Sequence, residues 1–277
     1  MSAPADRPGQ HPPAHPPAHP LARTPARITA ITSGKGGVGK TFVAANLAAA
    51  LARAGRRVLV LDADLGLANL DVVLNLAARV TLHDVFTGRS TLDQALQSAP
   101  GGFSVLLAGS GLVEYSRMTP EVRDKLLELV GQVRPHYDHI LLDTGAGISD
   151  VVLFTVSLAD EVLVVATPEP TSLTDAYATI KVLVATQPAR PMRLLVNQAQ
   201  RVGDGLAVRT QLQAVVDRFV NHALATPLQL QLALLGEVPM DSAVRESIQR
   251  RQLLLEAMPG SAAAIALVAA AGKLLPP

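Results

Sequence analysis

The chain has 277 residues with 24 basic and 23 acidic side chains, a net charge of +1 that announces no strongly basic nucleic-acid surface. Cysteine is absent, which excludes disulfides, a thiol nucleophile, zinc–thiolate sites and a Cys-ligated iron–sulfur cluster. Hydrophobic residues make up 49% and aromatics only 3%, so a large aliphatic core is expected; no apolar run reaches the roughly 18 residues of a spanning helix, and no signal-peptide core opens the chain, so the expectation is a soluble, cytoplasmic protein.

Residues 1–26 read as a tail. His11-Pro12-Pro13-Ala14-His15-Pro16-Pro17-Ala18-His19-Pro20 is a short repeat with too little apolar surface to fold. Its three histidines could ligate a metal, but nothing on a Pro-rich segment fixes their geometry, and a linker is the favoured reading. Residues 27–277 are expected to form one domain. Ile28–Ile31 predicts a strand, and Thr41–Ala54 an Ala/Leu-rich helix. Between them, Gly34-Lys35-Gly36-Gly37-Val38-Gly39-Lys40-Thr41 fits G-x-x-x-x-G-K-[ST], the phosphate-binding loop of nucleoside triphosphatases. The glycines let the backbone turn tightly and aim successive N–H groups at an anion. Lys40 would reach the β- and γ-phosphates, the Thr41 hydroxyl would ligate Mg²⁺, and the helix dipole adds to the anion site.

Arg57–Leu61 is a continuous apolar run, as a strand buried on both faces requires. It leads into Asp62-Ala63-Asp64, two carboxylates at the strand end where α/β sheets bind ligands. Asp64 could polarise a water for attack on the γ-phosphate, and Asp62 could organise Mg²⁺ and its waters. Residues 72–100 read as loop and short helix, with His83 and Asp84 as solvent-facing polar groups. Phe103–Ala108 predicts a strand, and Thr119-Pro120-Glu121 opens a helix running to about Val133 with an N-cap and Pro at its first position. His139–Leu142 is a strand ending in Asp143, the metal-side acid of a phosphate-loop enzyme, and Gly145 and Gly147 directly after it suit a nucleotide-sensing switch. Further strands are expected at Glu161–Ala166, Met192–Val196 and Leu232–Val238. Helices are expected at Ser172–Thr186, 208–224, 242–256 and 261–274. Asn197 ends a strand with an amide that could pair with the N6 and N7 edge of adenine. Strands alternating with helices give an α/β fold with a doubly wound, mostly parallel sheet flanked by helices.

Taken together, Lys35–Thr41, Asp62-Ala63-Asp64 and the stretch Gly66–Asp71 resemble the deviant Walker A loop and switch I of the MinD/ParA ATPases, in the SIMIBI/MinD-like class of P-loop NTPases. The resemblance covers about residues 27–275. It implies ATP or ADP with Mg²⁺ as ligands and an ATP-dependent homodimer in which Lys35 reaches the phosphates of the other subunit. Asp64 falls on the water-activating acid, Asp143 on the Walker B acid, and Asn197 and Pro239 lie where the family holds adenine. Slow, partner-stimulated hydrolysis to ADP is implied as well.

The stretches Asp143–Ser149 and Ala166–Tyr177 are similar to the FlhG/FleN (YlxH) branch. That likeness implies control of flagellar number, placement and gene expression. The implied partners are an FlhF-type GTPase, the flagellar transcriptional activator or flagellar switch proteins, with a peripheral place at the inner membrane or cell pole. Two departures stand out. The branch's Asp-Gln-Ala motif is not found in residues 1–26, and Asp93-Gln94-Ala95 lies inside the domain. The final stretch Ser261–Leu275 carries one lysine and is apolar nearly all round, a core helix by composition rather than a membrane-surface helix. The alternatives are a metabolic or cluster-carrying ATPase, against which the lack of Cys argues, and a ParA-type partitioning or other spatial-organisation ATPase acting on DNA or a protein cargo. From Asp241 onward four basic residues (Arg245, Arg250, Arg251, Lys273) face three acids, weak support for DNA.

Overall fold

The computed structural model describes residues 24–65, 69–109, 118–187, 190–221 and 229–275. The expected tail therefore lies almost wholly outside the described residues, as do Gly66–Ala68 of the switch I stretch and the last residues of the helix expected over 208–224.

Aliphatic runs rich in Val, Ile and Leu become strands because both faces of each can be covered. The described residues hold eight: β1 (Arg27–Ser33), β2 (Val58–Ala63), β3 (Leu96–Ser98), β4 (Ser104–Leu106), β5 (His139–Ala146), β6 (Glu161–Ala166), β7 (Met192–Ala199) and β8 (Ala233–Pro239). They form one sheet in the order β3-β4-β2-β5-β1-β6-β7-β8. Every pairing is parallel except that of β3 with β4. The phosphate loop thus leaves the central strand, with the acid-bearing β2 and β5 to one side and β7 and β8 to the other.

The helices are α1 (Lys40–Arg53), α2 (Leu70–Leu74), α3 (Leu82–Phe86), α4 (Leu92–Ala95), α5 (Pro120–Val133), α6 (Asp150–Ser157), α7 (Pro170–Thr186), α8 (Asp204–Val216), α9 (Ser242–Gln249), α10 (Leu254–Ala257) and α11 (Ala262–Gly272). Strand alternation sorts the core into two layers. Leu59 and Leu61 join α3, α5, α6, α7 and α8 on one face. Val58 and Val60 join α1, α2, α10 and α11 on the other. At the end of the sheet away from the phosphate loop, the buried Glu161 carboxylate is held by Arg27 Nη2 at 2.6 Å, Arg193 Nε at 3.1 Å and the Thr29 hydroxyl at 2.9 Å. A buried carboxylate survives only with such pairing.

Several expectations need correction. The edge strand β3 is antiparallel within a stretch read as loop and short helix. Asp84 is not simply solvent-facing: its carboxylate accepts from the Thr81 N–H at 3.0 Å and hydroxyl at 2.9 Å, closing a capping box on α3. Asp93-Gln94-Ala95 lies in α4, where Gln94 closes a capping box with Thr91. The helix expected over 208–224 starts earlier, at Asp204, whose carboxylate takes the N–H groups of Gln200 and Arg201 at 2.8 and 2.9 Å. The helix expected over 242–256 breaks after Arg250. Arg251 takes φ 50°, and the amides of Gln252 and Arg251 return to the carbonyls of Ser247 and Ile248, a Schellman stop with arginine where glycine is usual. Helix α11 buries only the face carrying Ala263, Ala264, Leu267, Ala270 and Ala271, while Ile265 and Val268 are exposed, so it is not a fully buried core helix.

Asp241 ties two of these helices to the end of β8. Its Oδ1 accepts from Ala243 N–H at 2.9 Å and its Oδ2 from Ala263 N–H at 3.1 Å, so one side chain serves the first turns of both α9 and α11. Asp241→Ala should lower stability by about 1–3 kcal/mol, the loss of one to two caps, and the melting temperature by a few degrees. Denaturant unfolding of wild type and variant reads this directly; identical midpoints and slopes would show that the side chain holds neither helix.

Candidate nucleotide-binding site

The phosphate loop is a backbone structure, and two of its glycines carry conformations that a side chain resists. Gly37 has φ 80° and Gly39, the N-cap of α1, has φ 92°. Gly34 is required for a different reason: a Cβ there would lie 2.1 Å from the backbone carbonyl of Asp175, so α7 packs directly on the loop. Lys40 is the first residue of α1. Its Nζ donates to Ser33 Oγ at 3.0 Å, and Ser33 Oγ donates to the Lys35 carbonyl at 2.7 Å, so the lysine is folded against its own loop. Burial lowers its pKa, and the nearby carboxylates of Asp143 and Asp64 oppose that effect. The Thr41 hydroxyl donates to Asn69 Oδ1 at 3.0 Å.

Beside the loop, Asp62 of β2 and Asp143 of β5 are direct neighbours across a parallel pair, and both are 1% exposed. Burial, then the adjacent Asp143 carboxylate, pushes Asp62 well above the usual carboxylate range. Burial likewise pushes Asp143 up to about 7, partly offset by the Thr41 hydroxyl and the Lys40 ammonium. Asp62 Oδ1 accepts from Asp64 N–H at 3.2 Å, but Asp62 Oδ2 and Asp143 Oδ1 have no hydrogen-bond partner among the described residues. Two orphaned carboxylate oxygens with a threonine hydroxyl beside them are the hard oxygen donors that Mg²⁺ takes. The residues fit the ion: Thr41, Asp62 and Asp143 would hold it, and it would supply positive charge to phosphate oxygens.

Asp64 lies one residue beyond β2, half-buried, beside the C-terminal end of β5. A Cβ on Gly145 would stand 3.4 Å from Asp64 Oδ1. That segment is tied to the central strand, since the Thr144 hydroxyl donates to the Ile31 carbonyl at 3.0 Å and Gly147 N–H to the Ser33 carbonyl at 2.8 Å. Gly147, at φ 86°, makes the turn. Loop and switch segments enclose a cleft of about 600 Å³ lined by Gly36, Gly37, Gly39, Lys40, Thr41, Asp64, Gly145 and Ser149 among others.

The structure therefore brings together Gly34, Gly36, Gly37, Val38, Gly39, Lys40, Thr41, Asp62, Asp64 and Asp143. Lys35 is different. Its Nζ lies 3.1 Å from Glu169 Oε2 and 3.0 Å from Thr171 Oγ1, at the start of α7. Asn197 braces the loop instead of standing free, for its Nδ2 donates to the Val38 carbonyl at 2.8 Å and a Cβ on Gly39 would meet that atom at 2.5 Å. Pro239 sits across from Ala199, and the following Met240 N–H donates to the Ala199 carbonyl at 2.8 Å. Sequence reasoning gave Ser33, Asn69, Glu169 and Thr171 no individual role in the site, although Ser33 adjoins the loop and the other three fall in the stretches Gly66–Asp71 and Ala166–Tyr177 that carry the resemblance.

If Lys40 clamps the phosphates, Lys40→Ala should abolish the thermal stabilisation given by ATP. At ligand about 100 times the dissociation constant that stabilisation is about 2.7 kcal/mol, a few degrees in a domain of this size. An ATP-induced shift of wild-type size in the variant would remove Lys40 from the site.

Comparison with known proteins agrees with this geometry. The ParA family model described as NUBPL iron-transfer P-loop NTPase matches residues 25–275. The antiactivator FleN of Pseudomonas aeruginosa is 42% identical over 250 residues, 90% of this chain and 86% of that protein. The flagellum site-determining protein YlxH of Helicobacter pylori is 32% identical over 235 residues, 84% of this chain and 76% of that protein. Among solved structures, the septum site-determining protein MinD of Pyrococcus horikoshii, complexed with Mg-ADP, superposes with a TM-score of 0.72 at 28% identity, covering 90% of this chain and 96% of its own. Agreement along nearly the whole chain makes this protein a member of the ParA/MinD family of P-loop NTPases.

Proposed function

We propose that the protein is an ATP-driven switch that dimerises on ATP, hydrolyses it slowly to ADP and phosphate, and in this way regulates flagellar number, placement and gene expression. The observation that carries the switch is the position of Lys35. It belongs to the phosphate loop, yet its ammonium is held at the rim on Glu169 and Thr171, 40% exposed and outside its own cleft. From the rim a cation can reach the phosphates of a second copy facing it. A γ-phosphate then adds charge at the interface that ADP lacks, so the two nucleotides favour different states.

In hydrolysis, Asp64 accepts a proton from the attacking water as the water oxygen bonds to the γ-phosphorus. The bond from γ-phosphorus to the β,γ-bridging oxygen breaks, and ADP leaves with that oxygen. Lys40 orients the phosphates, and Gly145, where a Cβ would stand 3.4 Å from Asp64 Oδ1, leaves that carboxylate room beside the second switch segment. The flagellar reading is supported by the names of FleN and YlxH. It brings an FlhF-type GTPase, the flagellar transcriptional activator or flagellar switch proteins as partners, and a peripheral place at the inner membrane or cell pole. Among the described residues no helix is long and apolar enough to cross a membrane. The iron-transfer description of the family model does not carry over to a chain without cysteine.

Light scattering with each nucleotide tests the switch. Wild type should double its mass with ATP and not with ADP, and Lys35→Ala should stay a monomer in both. Asp64→Ala should remain an ATP-loaded dimer with turnover lower by about 10²–10⁴-fold, the usual loss on removing a general base. Equal mass under every condition would contradict the dimer, and normal turnover in Asp64→Ala would contradict the role of Asp64.

A further inference from the structure

The end of β7 and the loop that follows it are shaped by carboxylates. Gln198 takes φ 58°, a left-handed conformation that a residue with a side chain keeps only when its surroundings hold it there. Downstream, Asp204 takes the N–H groups of Gln200 and Arg201. Glu237 reaches over from the neighbouring strand β8. Its Oε1 accepts from Gly203 N–H at 3.1 Å and its Oε2 from Gly205 N–H at 2.7 Å. The fit is close enough to exclude a side chain at Gly205, where a Cβ would lie 2.8 Å from Glu237 Oε2 and 2.9 Å from its Cβ. Gly203, at φ 94°, turns the chain into α8.

This loop stands in a definite relation to the phosphate site. The sheet order places β2 and β5, with their acids, on one side of β1, and β6, β7 and β8 on the other. Asn197, at the end of β7, touches the loop carbonyl of Val38. A nucleotide with its phosphates in the loop and its metal side toward β2 and β5 would extend to the other side of β1, where the end of β7 touches the loop through Asn197. Two large apolar side chains stand in solvent there, Val202 at 101% and Met240 at 63% exposure. They sit on adjacent loops joined by the bond from Met240 N–H to the Ala199 carbonyl. Exposed apolar groups above a backbone fixed by hydrogen bonds are a preformed face for an aromatic ring.

We propose that Glu237 is a positioning residue for the base of the bound nucleotide: by holding the N–H groups of Gly203 and Gly205 it sets the 198–205 loop, and with it Val202 and the backbone edge, against a purine. The proposal rests on the nucleotide reading above and adds to it the device that confers preference for one base. Glu237 is not among the residues lining the phosphate-loop cleft, so its effect should be confined to ligands that carry a base.

The test compares full-length wild type with Glu237→Gln and Glu237→Ala by calorimetric titration with Mg-ATP, Mg-GTP and magnesium tripolyphosphate. The last fills the phosphate loop but has no base. Glutamine keeps the shape and one acceptor but turns an N–H toward the other backbone N–H, so it reports even if the alanine variant fails to fold. ATP affinity should fall about tenfold and the preference for ATP over GTP should shrink by a similar factor, as when a site loses the fixed groups that read its ligand. Tripolyphosphate affinity should stay within about twofold, since the groups that contact it are unchanged. Equal losses for ATP and tripolyphosphate would show a purely structural role and overturn the proposal, as would unchanged ATP affinity and preference. Failure of wild type to bind either ligand would instead overturn the nucleotide reading on which the proposal rests.

Discussion

Two carboxylates side by side on neighbouring parallel strands, both out of water, set the terms for this molecule. Asp62 and Asp143 face each other in register, each with an oxygen that has no hydrogen-bond partner among the described residues. Like charges this close cannot both ionise without a compensating cation, and burial makes each harder to ionise. Lys40 is near but is spent on Ser33, and burial weakens its own hold on a proton. The pair is a poor arrangement for folding alone and a good one for a divalent ion that brings phosphates with it. Such tension at a ligand site is where a fold departs from its own stability optimum.

The rest of the sheet accommodates that pair. Placing β1 between β5 and β6 puts the phosphate loop beside the acids, with the segments after β2 and β5 bordering the same cleft. Asp64 stands next to Gly145, close enough that a Cβ there would lie 3.4 Å from its Oδ1. At the opposite end of the sheet Glu161 of β6 is also buried, yet it has two arginines and a threonine hydroxyl as partners. The contrast separates the two ends: one carboxylate is compensated by the chain, and the others are left for a ligand to compensate.

Much of this was legible in the residues, and what was not has physical reasons. The phosphate loop is dictated by backbone geometry, so its glycines, lysine and threonine appear in fixed order. The strand over Glu161–Ala166 has its expected bounds because its run of Val and Leu ends at Asp160 on one side and Thr167-Pro168 on the other. The helix α6 was not foreseen: Val151-Val152-Leu153-Phe154 is β-branched and aromatic, and only the Ser149 cap, accepting from Val152 N–H, marks it as a helix. The edge strand β3 is three residues long, too short to show alternation. The partners of Lys35 lie more than 130 residues away in the chain, where no local pattern reaches. The amide of Asn197 was read for its pairing edge, and the structure gives it a nearer acceptor in the loop carbonyl of Val38. Helix α11 looked like core because alanine is equally at home on either side of a helix, and composition alone does not show which face is covered.

The central claim is that the Asp62–Asp143 pair is built for a magnesium-bound nucleotide. Calorimetric titration of ATP with and without Mg²⁺, in wild type and in a variant carrying both Asp62→Asn and Asp143→Asn, tests it most directly. Wild type should bind ATP at least about tenfold more tightly with the ion, a difference of about 1.4 kcal/mol, and the variant should lose that dependence while staying folded, since asparagine removes the like-charge conflict and keeps the shape. ATP affinity indifferent to Mg²⁺ in wild type, or equally dependent on it in the variant, would contradict the account.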